Sequence, residues 1–178
     1  MTEPAPSEPA DLVDVFYARF VRPLGNLTIL FAQAESTWLV LVAALTGCTE
    51  KEAQCFLQKD AATAKREIMP LAKTTAIESY ELGELCKGIA TFYEDRERRN
   101  RLIHDEWFVS LLKTPGMPAT RGVRRREGIV MWGDSTPDDV WELARRFREY
   151  ESLFSHVVYV LQKQKSTESF PDDLPDQC

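Results

Sequence analysis

One stretch of the chain, Arg98-Arg99-Asn100-Arg101-Leu102-Ile103-His104, sets one of only two histidines behind three arginines and an asparagine. These residue types suit phosphodiester cleavage through a neighbouring hydroxyl. A neutral imidazole takes the proton of a ribose 2′-hydroxyl, and an always-charged planar guanidinium grips the phosphate oxygens on which charge accumulates. His104 is then the general base or acid, Arg99 the phosphate clamp, and Asn100 the residue that orients them. The structural alternative is a charged helix end whose histidine caps the last carbonyls.

The charge around this stretch is uneven. The whole chain carries a formal charge of −6, which argues against a general nucleic-acid binder, yet residues 96–148 hold 12 Lys+Arg against 8 Asp+Glu. The cations cluster as Arg96/Arg98/Arg99/Arg101, Arg121/Arg124/Arg125/Arg126 and Arg145/Arg146/Arg148, and all but one of the twelve are arginine, the better phosphate fork. Arg96, Arg98, Arg101, Arg124, Arg125 and Arg126 are therefore candidate RNA contacts. Trp107, three residues after His104, is a candidate base-stacking platform. A solvated face is the default reading of any one cluster.

Competing chemistry is absent from the sequence. Cys48, Cys55, Cys86 and Cys178 form no Cys-x-x-Cys pair, and no histidine stands at ligand spacing from them, so no metal and no cofactor is expected. The cysteines read as reduced, mostly buried thiols of a cytoplasmic protein. Asp105 and Glu106 point about 100° apart on a helix and read as solvated acids. There is no phosphate-binding glycine loop and no Ser/His/Asp set, since His156 lies between Phe154 and Val157 and reads as a packed or partly buried histidine with a satisfied hydrogen bond. The apolar run Leu27–Leu45 is interrupted by Gln33 and Glu35, which argues against a membrane span.

The elements that must position the motif are helical. With 178 residues, the chain suits a single domain over 11–165, between a Pro- and Glu-rich tail at 1–10 and an acidic tail at 166–178. A short amphipathic helix over 11–21 is expected to break or kink at Pro23. A second helix runs over Leu27–Leu45, capped by Gly47, and Thr49-x-x-Glu52 opens a third through Lys59. Met69-Pro70 marks a junction. A long helix over about 74–104 carries the motif in its last turns. Trp107–Leu112 and Gly128–Trp132 have strand-like composition, which predicts a small hairpin. Thr136-Pro137-Asp138-Asp139 then starts a final helix to about Lys163. The fold class is all-α, an up-and-down helical bundle with a small irregular or hairpin insertion before the last helix.

Arg99-Asn100-x-x-x-His104 resembles the motif of the HEPN ribonucleases: an arginine, a polar residue, a few others, then a histidine. The order of elements over about residues 24–163 is similar to theirs. That resemblance implies metal-independent endoribonuclease activity, a homodimer whose motif faces meet in a cleft, and a toxin or defence role with an antitoxin partner. Where many members have glycine after the histidine, this chain has Asp105. Where the branch paired with nucleotidyltransferase antitoxins has tyrosine, it has Glu106, so regulation by tyrosine modification is not implied. The alternative is a non-catalytic helical dimer that binds RNA, a nucleotide or a protein partner through the same cleft. Arg99 and His104 also stand about 140° apart around an ideal helix. Either the helix end unwinds, or two chains supply the pair.

Overall fold

A computed structural model describes the backbone of residues 9–104, 106–110, 117–123, 130–134 and 136–168, and the side chains of 18–103, 136–164 and 166. The described residues form a helical bundle of five α-helices, with their strands confined to the segment before the last helix.

Two helix starts form as their sequences dictate. Ahead of α2 (Glu50–Ala53), Glu52 N–H donates to Thr49 Oγ1 at 3.3 Å while Thr49 N–H donates to Glu52 Oε2 at 2.9 Å. Ahead of α5 (Pro137–Glu168), Asp139 N–H donates to Thr136 Oγ1 at 3.1 Å and Thr136 N–H to Asp139 Oδ2 at 2.8 Å. Each box satisfies donors that a helix N-terminus otherwise leaves open. Gly47 ends the first helix in the left-handed region at φ 73°, with its N–H on Ala43 O, as its position predicted.

The two interior prolines do not end helices. α1 (Pro9–Thr46) runs continuously through Pro23, and α3 (Ala61–Lys73) runs through Pro70. The expected short helix ending before Pro23 and the junction at Met69-Pro70 are both corrected. A proline costs one helical hydrogen bond and some crowding. In α1 the buried neighbours Phe20 and Leu27, and the burial of Pro23 itself, offset that loss. Pro9 and Ala10 belong to α1 rather than to a tail, and α5 extends to Glu168; residues 1–8 and 169–178 lie outside the described residues.

The third expected helix is shorter than its sequence suggested: α2 passes into a 3-10 turn over Gln54–Gln58, and α3 restarts after Asp60, whose Oδ1 accepts from Thr63 N–H at 2.8 Å. α4 (Ser79–His104) begins five residues later than expected. The insertion is a three-stranded antiparallel sheet in the order β1-β2-β3, comprising β1 (Glu106–Ser110), β2 (Met117–Val123) and β3 (Val130–Asp134). Both strand-like segments are strands, but each pairs with the unanticipated β2 rather than with the other: Trp107 faces Thr120, and Arg121 faces Trp132.

The chain divides into two compact units. The first comprises Met1–Gln33 and Glu94–Glu149 and holds the motif. Its core contains Phe20, Leu27, Phe31, Leu102, Leu143 and Phe147. The second comprises Ala34–Tyr93 and Tyr150–Cys178. Its centre is aromatic: Trp38 lies 5.2 Å from Phe154 and 6.1 Å from Phe92, and Phe92 meets Phe154 edge-on at 5.5 Å. There α4 and α5 approach closely at Gly88, where a Cβ would come within 2.5 Å of Leu153 Cδ2.

Segment Ala18–Thr46 of α1 is long and apolar enough to cross a membrane by length and composition. Its buried positions, however, are Phe20, Pro23, Leu27, Leu30, Phe31, Ala34, Trp38, Leu41 and Val42. These three- and four-residue steps are those of a helix turning one stripe to a protein core.

Candidate active site

α4 is helical through His104, its last residue, so its end does not unwind and positions 99 and 104 stay about 140° apart around the axis. The His104 side chain lies outside the described residues, as do Arg124, Arg125 and Arg126; Trp107 is placed on β1 by its backbone alone.

Arg99 is half-buried in the first unit. Its guanidinium carbon lies 4.2 Å from the centre of the Phe31 ring, and Phe31 meets Phe147 of α5 edge-on at 5.1 Å. A guanidinium stacked on an apolar ring keeps its in-plane donors available while its face is desolvated. Arg99 Nη1 donates to Asn100 Oδ1 at 3.1 Å. Asn100 and position 104 share a helix face, being four residues apart. The Arg99 guanidinium thus meets the side chain of a residue that shares a face with position 104, on a helix that stays wound.

One turn before Arg99, Asp95 is buried, and its Oδ1 accepts from Arg146 Nη2 of α5. A carboxylate so little exposed requires such a partner. Arg98 reaches the first turn of α5, with Nη2 3.6 Å from Asp139 Oδ1. The Thr136 hydroxyl and N–H hold the Asp139 carboxyl below its usual range, with the Arg98 charge adding to them. Arg101 lies 3.8 Å from Glu97, and Arg145 pairs with Glu142 and Glu149. Arg96 is half-buried on α4. The arginine clusters of α4 and α5 therefore consist largely of cations already paired with carboxylates, and Arg148 carries no ion pair among the described residues.

Two contributors were not anticipated. One is Asp95, whose partner Arg146 stands 51 residues away in sequence, so no local spacing announces the pair. The other is Phe31, whose role has no signal, because any apolar residue of α1 would read the same. His156, expected to be packed or partly buried, is exposed; the expected hydrogen bond exists, with Nε2 2.6 Å from Glu81 Oε1. It belongs to the second unit and takes no part in the site. Among the described residues no group of three or more His, Cys, Asp or Glu is placed to hold a metal ion. Comparisons with protein-family models, with curated proteins and with solved structures return no match.

Proposed function

We propose that the chain is a metal-independent endoribonuclease of the HEPN type, acting as a cytoplasmic homodimer in a toxin or defence role with an antitoxin partner. His104 takes the proton from a ribose 2′-hydroxyl. The resulting 2′-oxygen attacks the adjacent phosphorus and the 5′-oxygen leaves with a proton, giving a 2′,3′-cyclic phosphate and a free 5′-hydroxyl. Arg99 binds the phosphate oxygens that gain charge in the transition state, and Asn100 fixes the guanidinium. Arg96, Arg98, Arg101, Trp107, Arg124, Arg125 and Arg126 are assigned to the RNA path, Arg98 and Arg101 exchanging Asp139 and Glu97 for phosphate.

The observation that carries this reading is the 3.1 Å bond from Arg99 to Asn100, which links the arginine to the face of α4 bearing His104. The test is cleavage of single-stranded RNA in excess chelator by purified protein. A cyclic-phosphate end is expected, with activity lost in His104→Ala while the circular dichroism spectrum is unchanged. Cleavage that needs added divalent metal, or that survives His104→Ala, removes the mechanism.

The seat of Arg99 on Phe31 favours a second reading, a non-catalytic helical dimer in which Arg99 serves packing. Under that reading RNA binding persists in His104→Ala, and neither protein cuts RNA.

A further inference from the structure

Between α1 and α5 of the first unit lies an open groove of about 380 Å³, lined by Asn26 and Leu30 on one side and by Asp138, Trp141, Glu142, Arg145 and Arg148 on the other. Trp141 is 39% exposed, an unusual outlay for an indole on a helix whose other aromatic residue in this unit, Phe147, is fully buried. Trp141, Arg145 and Arg148 lie within about 60° of one another around α5, so they form one stripe along the groove. The Asn26 side chain makes no hydrogen bond among the described residues.

The charges along this stripe are ordered. Arg145 is committed, donating from Nε and Nη2 to the two oxygens of Glu142 and from Nη1 to Glu149. That arrangement neutralises Glu142, whose carboxyl Arg145 holds below its usual range. The charges left without an ion pair among the described residues are Asp138 at one end and Arg148 at the other. Ten residues of helix separate them by about 15 Å, with Trp141 about 4.5 Å from the acid end. An anion is therefore favoured at the Arg148 end and a hydrogen-bond donor at the Asp138 end, with a flat apolar surface between them.

We propose that this groove binds one nucleotide of a single-stranded RNA. The base stacks on Trp141, its exocyclic amino group donates to Asp138, Asn26 supplies a further polar contact, and the phosphate pairs with Arg148. This assignment rests on the RNA reading above and extends the substrate contact away from the motif. The two places adjoin in the chain: Leu30 lines the groove while its neighbour Phe31 seats Arg99, and Arg98 of the motif pairs with Asp139 beside Asp138.

The test is fluorescence anisotropy of a labelled 2′-O-methyl oligoadenylate, which binds but has no 2′-hydroxyl to react, against the wild-type full chain. Trp141→Ala is expected to weaken binding about tenfold and Trp141→Phe to recover much of the loss, as stacking requires. Arg148→Gln is expected to lower the slope of log affinity on log salt by about 0.7, the value for one phosphate on a single strand. Asp138→Asn is expected to reduce the preference for oligoadenylate over oligouridylate. Binding that is unchanged in Trp141→Ala and Arg148→Gln overturns the groove, and if His104-dependent cleavage persists the ribonuclease reading stands without it. Groove-dependent binding without cleavage leaves the groove standing and removes the catalytic reading. No binding of the oligonucleotide by the wild type, as for a groove that takes a protein partner, overturns the assignment.

Discussion

The Arg99 guanidinium lies over the Phe31 ring, 4.2 Å from its centre, while its Nη1 donates to Asn100. One helix therefore supports a cation that another helix presents, and the two contacts together restrict where the charge sits. A lysine at position 99 keeps the charge but loses both the stack and the fork. Under the proposed ribonuclease reading, Arg99→Lys is accordingly expected to lower RNA cleavage about a hundredfold, the scale of one lost transition-state donor. Phe31→Tyr should stay near wild type and Phe31→Leu should fall between. Equal activity of Arg99→Lys and wild type, measured on folded proteins, would remove Arg99 from the reaction.

Asp95 and Arg146 give a stability prediction. Removing only the guanidinium, as in Arg146→Met, leaves a buried carboxylate without this partner and is expected to cost about 3 kcal/mol in urea denaturation. Asp95→Leu combined with Arg146→Met replaces the pair with apolar groups and should cost less than Arg146→Met alone. A double variant that is the sum of its singles would show that the two side chains act independently.

Much of this architecture was legible because it is written in local chemistry. Thr49 with Glu52 and Thr136 with Asp139 state where helices begin, and Gly47 states where one ends. Pro23 and Pro70 misled because a proline reports only the lost hydrogen bond, whereas the burial of Phe20 and Leu27 in α1 and of Ile68 and Ala72 in α3 is settled by tertiary packing. The site divides in the same way. The Arg99-Asn100-His104 spacing is local and readable. That Phe31 lies beneath Arg99, and that Arg98 and Arg146 are held by Asp139 and Asp95, depends on which helices adjoin.

The glycines of α4 should respond oppositely to alanine. Gly83 has nothing within 4 Å of an added Cβ, so Gly83→Ala should stabilise the fold by about 0.8 kcal/mol through helix propensity alone. At Gly88 the same methyl meets Leu153 Cδ2 at 2.5 Å, and displacing that side chain should offset the propensity gain, leaving Gly88→Ala at or below wild-type stability by about 1 kcal/mol. Thermal unfolding of the two variants side by side reads the difference.

Acid should weaken the second unit through Glu81. Its carboxylate accepts from His156 and from Glu78 N–H, and these contacts hold its pKa below the usual 4.5. Because the folded-state value is the lower one, this contribution is fully present above about pH 4.5 and is lost as pH falls through the folded value. Glu81→Gln should therefore flatten part of the acid limb of a stability–pH curve. An acid limb identical to that of the wild type would show that the contact contributes nothing.

For the proposed dimeric ribonuclease, whether one chain or two supply the site is decided by mixing inactive variants. Positions 99 and 104 diverge by about 140° on a continuous helix, which by itself invites an arginine from one chain to serve the histidine of the other. The Arg99 contacts oppose this arrangement, since its guanidinium is held by Phe31 and Asn100 of its own chain, on the way to the face that carries His104. In a heterodimer of Arg99→Ala with His104→Ala, a site built within one chain always carries a lesion, whereas a site shared between chains leaves one of two copies intact. The mixture is therefore expected to remain as inactive as its parents, with heterodimer formation verified by differently tagged chains. Recovery of a substantial fraction of wild-type cleavage would show instead that Arg99 acts across the dimer, and the Asn100 contact would then describe the resting position of the side chain rather than its working one.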